Sequence, residues 1–150
     1  MRSFIFTLAC AASVFLAGCA TTAPSTGNHI TTAVDQQTLA NEAVKQIVAL
    51  WPPAKTQLDF KQPTPDPFGV ALVAGLRERG YALMEYSQTP ENAPQSAPAT
   101  TALPLTYVLD ESGTPAFFRV TLTVGGQSIT RPYIDQDGKV QPVGYWVRKE

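Results

Sequence analysis

Phe118-Arg119-Val120-Thr121-Leu122-Thr123-Val124-Gly125-Gly126 places an apolar side chain at every second position and ends on a glycine pair. A period of two sets Phe118, Val120, Leu122 and Val124 on one face of a β-strand and Arg119, Thr121 and Thr123 on the other. Gly125-Gly126 then reads as a two-residue hairpin loop, because such loops need positive φ at both central residues. Ser128 to Ile134 is the returning strand, and Pro132 within it points to an edge position or a bulge. Asp135-Gln136-Asp137-Gly138 turns the chain again. Val140 to Arg148, with Tyr145 and Trp146, is the last strand. Upstream, Leu103, Leu105, Tyr107 and Leu109 alternate with Pro104, Thr106 and Val108, and Asp110-Glu111-Ser112-Gly113 reads as a turn. The carboxyl-terminal part is therefore a meander of about four strands.

The residues before this meander change period. From Asp35 to Trp51, Leu39, Ala43, Ile47 and Leu50 recur at helical spacing, flanked by Ala40, Val44 and Val48. This is an amphipathic helix, stopped by Pro52-Pro53. Thr56 to Gln62 alternates through Leu58 and Phe60 as a short strand. Asp66 is placed to cap a second helix whose first residue is Pro67. Phe68, Leu72, Gly75 and Leu76 mark its buried face, and Gly80 supplies the left-handed stop. Tyr81 to Tyr86 is again a strand. Residues 87–101 hold Pro90, Pro94 and Pro98 among small polar residues, with no hydrophobic period, and read as a long exposed loop. The order helix, strand, helix, strand, meander predicts an α+β fold. Two helices pack on one face of a mostly antiparallel sheet of about five to six short strands.

The amino terminus has a different character. Arg2 is a short positive region, Phe4 to Leu16 is almost wholly apolar, and Leu16-Ala17-Gly18 leads into Cys19. That is the anatomy of a secretory signal peptide. It is too short for a comfortable transmembrane helix, which takes about 20 apolar residues. The Leu-Ala-Gly-Cys tetrad resembles the bacterial lipobox, in which the cysteine is acylated and becomes the new amino terminus. Two or more acyl chains anchor a protein to a bilayer stably. By the same resemblance, Ala20 in place of an aspartate favours outer-membrane delivery, facing the periplasm. The expected organisation is a signal peptide over 1–18, a lipidated flexible tether over 19–34 and a small periplasmic domain over 35–150. The small polar residues 20–34 would let that tether reach roughly 50 Å when fully extended.

Composition excludes several functions. Arg2 leaves with the signal, so 11 basic against 12 acidic residues become 10 against 12, a net charge of −2. Nucleic-acid binding, which wants a clustered basic face, is not expected. Cys10 also leaves with the signal and Cys19 is modified, so no disulfide is expected. His29 is the only histidine and lies in the tether. A Ser-His or Cys-His nucleophile pair and a structural zinc site both need more. Asp135-Gln136-Asp137-Gly138 begins like a calcium loop but lacks the later ligands and the bidentate glutamate. The neighbouring carboxylates Asp110 and Glu111, a pairing a glycosidase would use, are read as a solvated turn. No catalytic residue, metal or cofactor is expected. A candidate partner surface remains at the carboxyl end, where Arg131, Tyr133, Tyr145, Trp146 and Arg148 concentrate the aromatic and basic groups favoured at interface hot spots. Tyr145 and Trp146 are adjacent in a strand and point to opposite faces, so at least one belongs to the core.

The lipobox, the segment Leu76-Arg-Glu-Arg-Gly-Tyr-Ala-Leu83, the segment Phe118-Arg-Val-Thr-Leu-Thr-Val-Gly125 and the ending Gly144-Tyr-Trp-Val-Arg-Lys-Glu150 together resemble TrbH, a family of small lipoproteins of bacterial conjugal transfer. The resemblance covers nearly the whole chain and implies a component of the type IV secretion apparatus that moves plasmid DNA. The implied partners are other secretion-channel proteins, in an oligomeric or larger assembly, with a structural role at the outer membrane. The helix-strand order also resembles the α+β modules that line secretins, where an exposed strand edge mediates assembly. The edge near Pro132 is the candidate. The alternative reading is a periplasm-facing ligand- or inhibitor-binding lipoprotein unrelated to conjugation, using residues 87–101 or the aromatic carboxyl end.

Overall fold

A computed structural model describes residues 25–88, 101–112 and 117–149. In chain order the elements are β1 (Gly27–Asn28), α1 (Gln36–Leu50), a 3₁₀ turn (Pro53–Lys55), β2 (Gln57–Phe60), α2 (Pro67–Glu78), β3 (Ala82–Met84), β4 (Leu103–Ser112), β5 (Phe117–Val124), β6 (Gln127–Gln136), β7 (Lys139–Pro142) and β8 (Val147–Lys149). Cys19 and most of the proline-rich stretch, residues 89–100, lie outside the described residues.

Both helices begin where their caps put them. The Asp35 carboxylate accepts from the Thr38 hydroxyl at 2.6 Å and the Thr38 amide at 3.0 Å. Those bonds hold the Asp35 carboxyl below its ordinary range. Asp66 caps α2 by accepting from the Gly69 amide at 3.0 Å, with Pro67 in the first turn. After α2, Gly80 takes φ +84°, the left-handed stop that glycine alone adopts without strain. The helices cross closely at Gly75, where a methyl group would stand 2.9 Å from Val44 Cγ2.

The sheet runs β3-β2-β4-β5-β6-β7, with β1 beside β4 and β8 beside β6. The expected sheet, mostly antiparallel with five to six strands, is in fact mixed and has eight among the described residues. β4, β5, β6 and the short strands after them are antiparallel, while β2 pairs parallel with both β3 and β4, and β1 pairs parallel with β4. The parallel part has a physical cause: helix α2 carries the chain back before β3 begins, as any parallel crossover requires.

Each ten-residue outer strand of the meander has its far edge divided between two short strands. Along β4, β2 covers Leu103–Leu105 and β1 covers Val108–Leu109. Along β6, β8 covers Ser128–Thr130 and β7 covers Tyr133–Gln136. The single last strand expected over Val140–Arg148 is thus two strands, interrupted at Val143–Trp146. Pro132 is correspondingly not at a free edge. Its carbonyl accepts from Val143 N at 3.0 Å on the β7 side. Since N–H and C=O of one residue point to the same side of a strand, the amide that proline lacks would face Val143, where the β7 ladder ends.

Asp110, Glu111 and Ser112 belong to β4, paired with Arg119, Phe118 and Phe117, rather than to a turn. The two glycine-bearing hairpins behave as read: Gly125 and Gly126 have φ +58° and +84°, and Asp137 and Gly138 have +55° and +77°. Residues 25–34, read as tether, also run along the domain. His29 N donates to Leu109 O at 2.7 Å, the Thr31 hydroxyl bonds the Glu111 carboxylate, and Thr32 N reaches its other oxygen at 3.1 Å. The folded unit therefore starts before Asp35.

One core joins both helices to a single face of the sheet. Leu39, Ala43 and Ile47 of α1 and Phe68, Leu72 and Leu76 of α2 bury against Leu105, Tyr107, Phe118, Val120, Leu122 and Tyr133. The alternating set Phe118, Val120, Leu122 and Val124 is fully buried, as its period requires.

Candidate functional site

The five residues proposed as a partner surface do not form one. Tyr133 is 0% exposed and belongs to the core. Its alternation partner Arg131 lies on the same, helix-covered face, with the guanidinium carbon 5.6 Å from the Tyr133 ring centroid. Arg131 donates to Gly144 O at 2.7 Å and to Glu42 of α1 at 3.2 Å. It ties the β7–β8 connection to the first helix. Trp146 is half-buried against the core, and its neighbour Tyr145 is 90% exposed. That split is the one the alternation demanded. Arg148 is exposed on β8 opposite Ile129.

The other sequence candidates resolve as structural. Asp110 and Glu111, being consecutive in a strand, point to opposite faces. Asp110 accepts two bonds from Arg119, at 3.1 and 2.7 Å, which raise the arginine pKa above its ordinary value. Glu111 is held below the usual carboxylate range, first by the Thr31 hydroxyl. Asp135 accepts from Gly138 N at 2.7 Å, an ordinary hairpin contact. His29 is exposed, its ring 3.3 Å from Ser25 O. Among the described residues no three His, Cys, Asp or Glu side chains converge as a metal site would need, and no helix is long and apolar enough to cross a membrane.

A partly buried polar network, unforeseen from sequence, joins the amino-terminal strand to the second helix. Asn28 donates to Gln36 Oε1 at 2.7 Å and to Asp66 Oδ1 at 3.0 Å. Gln36 also accepts from Phe68 N at 3.1 Å, and Asp66 accepts the Tyr107 hydroxyl. Burial, reinforced by the Asp66 carboxylate, pushes the Tyr107 hydroxyl far above its ordinary pKa. Gln62 accepts from Tyr107 N at 2.9 Å. A side chain at Gly69 would overlap the Tyr107 hydroxyl and stand 2.9 Å from Thr64 Cβ, so glycine is required there. Apart from Gln62 Nε2, which is buried without a partner among the described residues, the groups of this cluster hold the chain, which makes it a clasp.

The remaining feature is the open face of the sheet. The residues alternating with the core, Thr106 and Val108 on β4, Arg119, Thr121 and Thr123 on β5, and Ser128 and Thr130 on β6, line a groove of about 500 Å³. Lys149 of β8 and Thr26, just before β1, complete its walls. The hydroxyls stand in register: Thr106 faces Thr123, Thr123 faces Ser128, and Thr121 faces Thr130 with oxygens 2.9 Å apart. This surface bears a row of hydroxyls, with a basic residue at Arg119 and another at Lys149, although most of its exposed area is apolar. It holds no nucleophile-base pair. Its sequence signal was the run of hydroxyl residues alternating with the core positions, Thr106 on β4, Thr121 and Thr123 on β5 and Ser128 and Thr130 on β6, which by itself reads only as the wet side of a sheet.

A family model described as conjugal transfer protein TrbH matches residues 20–150, the whole of the described domain included. No curated protein and no solved structure matches the chain.

Proposed function

The chain belongs to the family of conjugal transfer protein TrbH, and from that membership we propose that it is an outer-membrane lipoprotein, anchored through Cys19 and facing the periplasm, that helps assemble a conjugative type IV secretion apparatus. The match over residues 20–150 carries this reading. The lipobox-like Leu16-Ala17-Gly18-Cys19 stands immediately before the matched stretch. A role in assembly rather than catalysis accords with a domain in which Asp35, Asp66, Asp110, Glu111 and Arg131 are engaged in caps, clasps and ion pairs. The partners are other transfer proteins, met by the domain surface. The strand edges open to addition among the described residues are those of β1 and β3 on one side and of β7 and β8 on the other, since β4 and β6 are covered on both sides. The family match weighs against a ligand-binding lipoprotein unrelated to conjugation.

Cys19→Ser tests the reading. Anchoring to a membrane raises effective concentration by on the order of 10²-fold or more, so plasmid transfer from the variant strain is expected to fall by a comparable factor. The protein should appear without acyl mass and leave the membrane fraction. Full transfer by a stable, unacylated variant would overturn the proposal.

A further inference from the structure

We infer that the open, hydroxyl-lined face of the sheet lies against the membrane and contacts phospholipid headgroups, an inference that rests on acylation of Cys19. Chain length carries the argument. Thr26 is part of the groove wall and stands only seven positions after Cys19, with six residues between them. Seven steps along the chain span at most about 25 Å when fully extended. A domain of this length has a radius of gyration of about 13 Å and hence a diameter near 35 Å. Turning the helical face to the bilayer would require the chain to run from Thr26 around half the circumference, roughly 50 Å on that radius. The connection is too short, so the side bearing Thr26 stays toward the lipid.

The chemistry of that side fits what it would meet. Thr123 and Ser128 offer hydroxyl donors to phosphate oxygens, the Thr130 hydroxyl being engaged by Val120 O and Thr121, and Lys149 offers an ammonium group. Lysine and arginine near an anionic lipid surface are attracted to it. Asp110, the carboxylate that shares this face, is already engaged by Arg119. Beside Lys149, Val147 points the same way and is 59% exposed, and Tyr145 stands free two residues before it. Exposed tyrosines of this kind settle at the headgroup level of bilayers. The groove is mainly apolar in exposed area but carries hydroxyls and basic groups, an amphipathic mix suited to the headgroup level of a bilayer.

The test uses the full-length chain, processed and acylated in cells, then placed in vesicles of phosphatidylethanolamine and phosphatidylglycerol carrying a headgroup nitroxide. The processed chain has no other thiol once Cys19 is acylated, so one introduced cysteine takes one fluorophore. Thr123→Cys reports the open face, with Ser128→Cys as a second position should the first not fold, and Asn41→Cys reports the exposed side of α1. The nitroxide is expected to quench most of the fluorescence on the open face and little at position 41. Exchanging Lys149→Glu should weaken the open-face quenching. Acylated protein with equal quenching at both faces, or more at position 41, overturns the inference alone and leaves the face to a protein partner. Protein recovered with an unmodified Cys19 overturns the anchor and this inference together.

Discussion

Two buried tyrosines illustrate how one residue type carries opposite burdens. The Tyr107 hydroxyl donates to Asp66 inside the clasp, while the Tyr133 hydroxyl finds no hydrogen-bond partner among the described residues. Burial pushes the Tyr133 pKa up to about 12. Leaving a buried polar group unpaired costs about 1–3 kcal/mol, and removing the group removes the cost. Tyr107→Phe should therefore destabilise by about 1–3 kcal/mol and Tyr133→Phe should be neutral or slightly stabilising, as denaturant unfolding would show. Equal losses for the two would mean that Tyr133 is paired. Glu111 supplies a pH test. Its folded pKa is depressed, so its contribution is present above the ordinary 4.5 and is lost as pH falls through the lower folded value. The protection factor of the Thr32 amide, which donates to Glu111, should drop across that acid range. In Glu111→Gln the dependence should vanish. Neither tyrosine's role was legible beforehand, because alternation predicts burial and not the partner waiting there.

At the level of elements, local chemistry was readable and long-range pairing was not. Caps at Asp35 and Asp66, the Gly80 stop and the two hairpins follow from residue types a few positions apart, and the structure has them. The face of β5 followed from its period. Three elements escaped because their cause lies elsewhere in the chain. β1 has two residues and exists through Asn28, which reaches 38 positions along the sequence to Asp66. Asp110–Ser112 has turn-favouring residues but is drawn into β4 by its pairing with β5. Pro132 looked like an edge because proline cannot donate, yet its missing donor falls at the end of the β7 ladder, opposite Val143. A substitution pair separates these effects. Pro132→Ala should be neutral or stabilising by up to about 1 kcal/mol, since the restored amide can donate to Val143 O. Arg131→Ala, one residue away, should cost about 1.5–3 kcal/mol through its charged bonds to Glu42 and Gly144. A clear loss at Pro132 would mean that the restored amide is left without a partner.

For the whole molecule, the decisive quantity is the distance between anchor and fold. Read as a free tether, residues 20–34 allow the domain to roam; docked along β4 from Gly27, the amino-terminal segment leaves a short connection from Cys19. The sequence period could not show this, since small polar residues serve equally as linker or as a strand held by side-chain bonds. If the proposed anchor operates, its value to assembly depends on that shortness. Inserting about 15 Gly/Ser residues after Thr22 would lengthen the seven-step connection to about 22 steps. Effective concentration falls roughly as the −3/2 power of linker length, so the domain should meet its partners about fivefold less often. Plasmid transfer should drop by a similar factor although acylation and membrane retention persist. The open-face fluorophore should also lose its preference for quenching, because the longer connection can wrap the domain. A rigid insertion of equal length, such as a helical segment, should depress transfer further by holding the domain away from the surface. Unchanged transfer with either insertion would show that the anchor only keeps the protein in its compartment and that the domain finds its partners without being held at the bilayer.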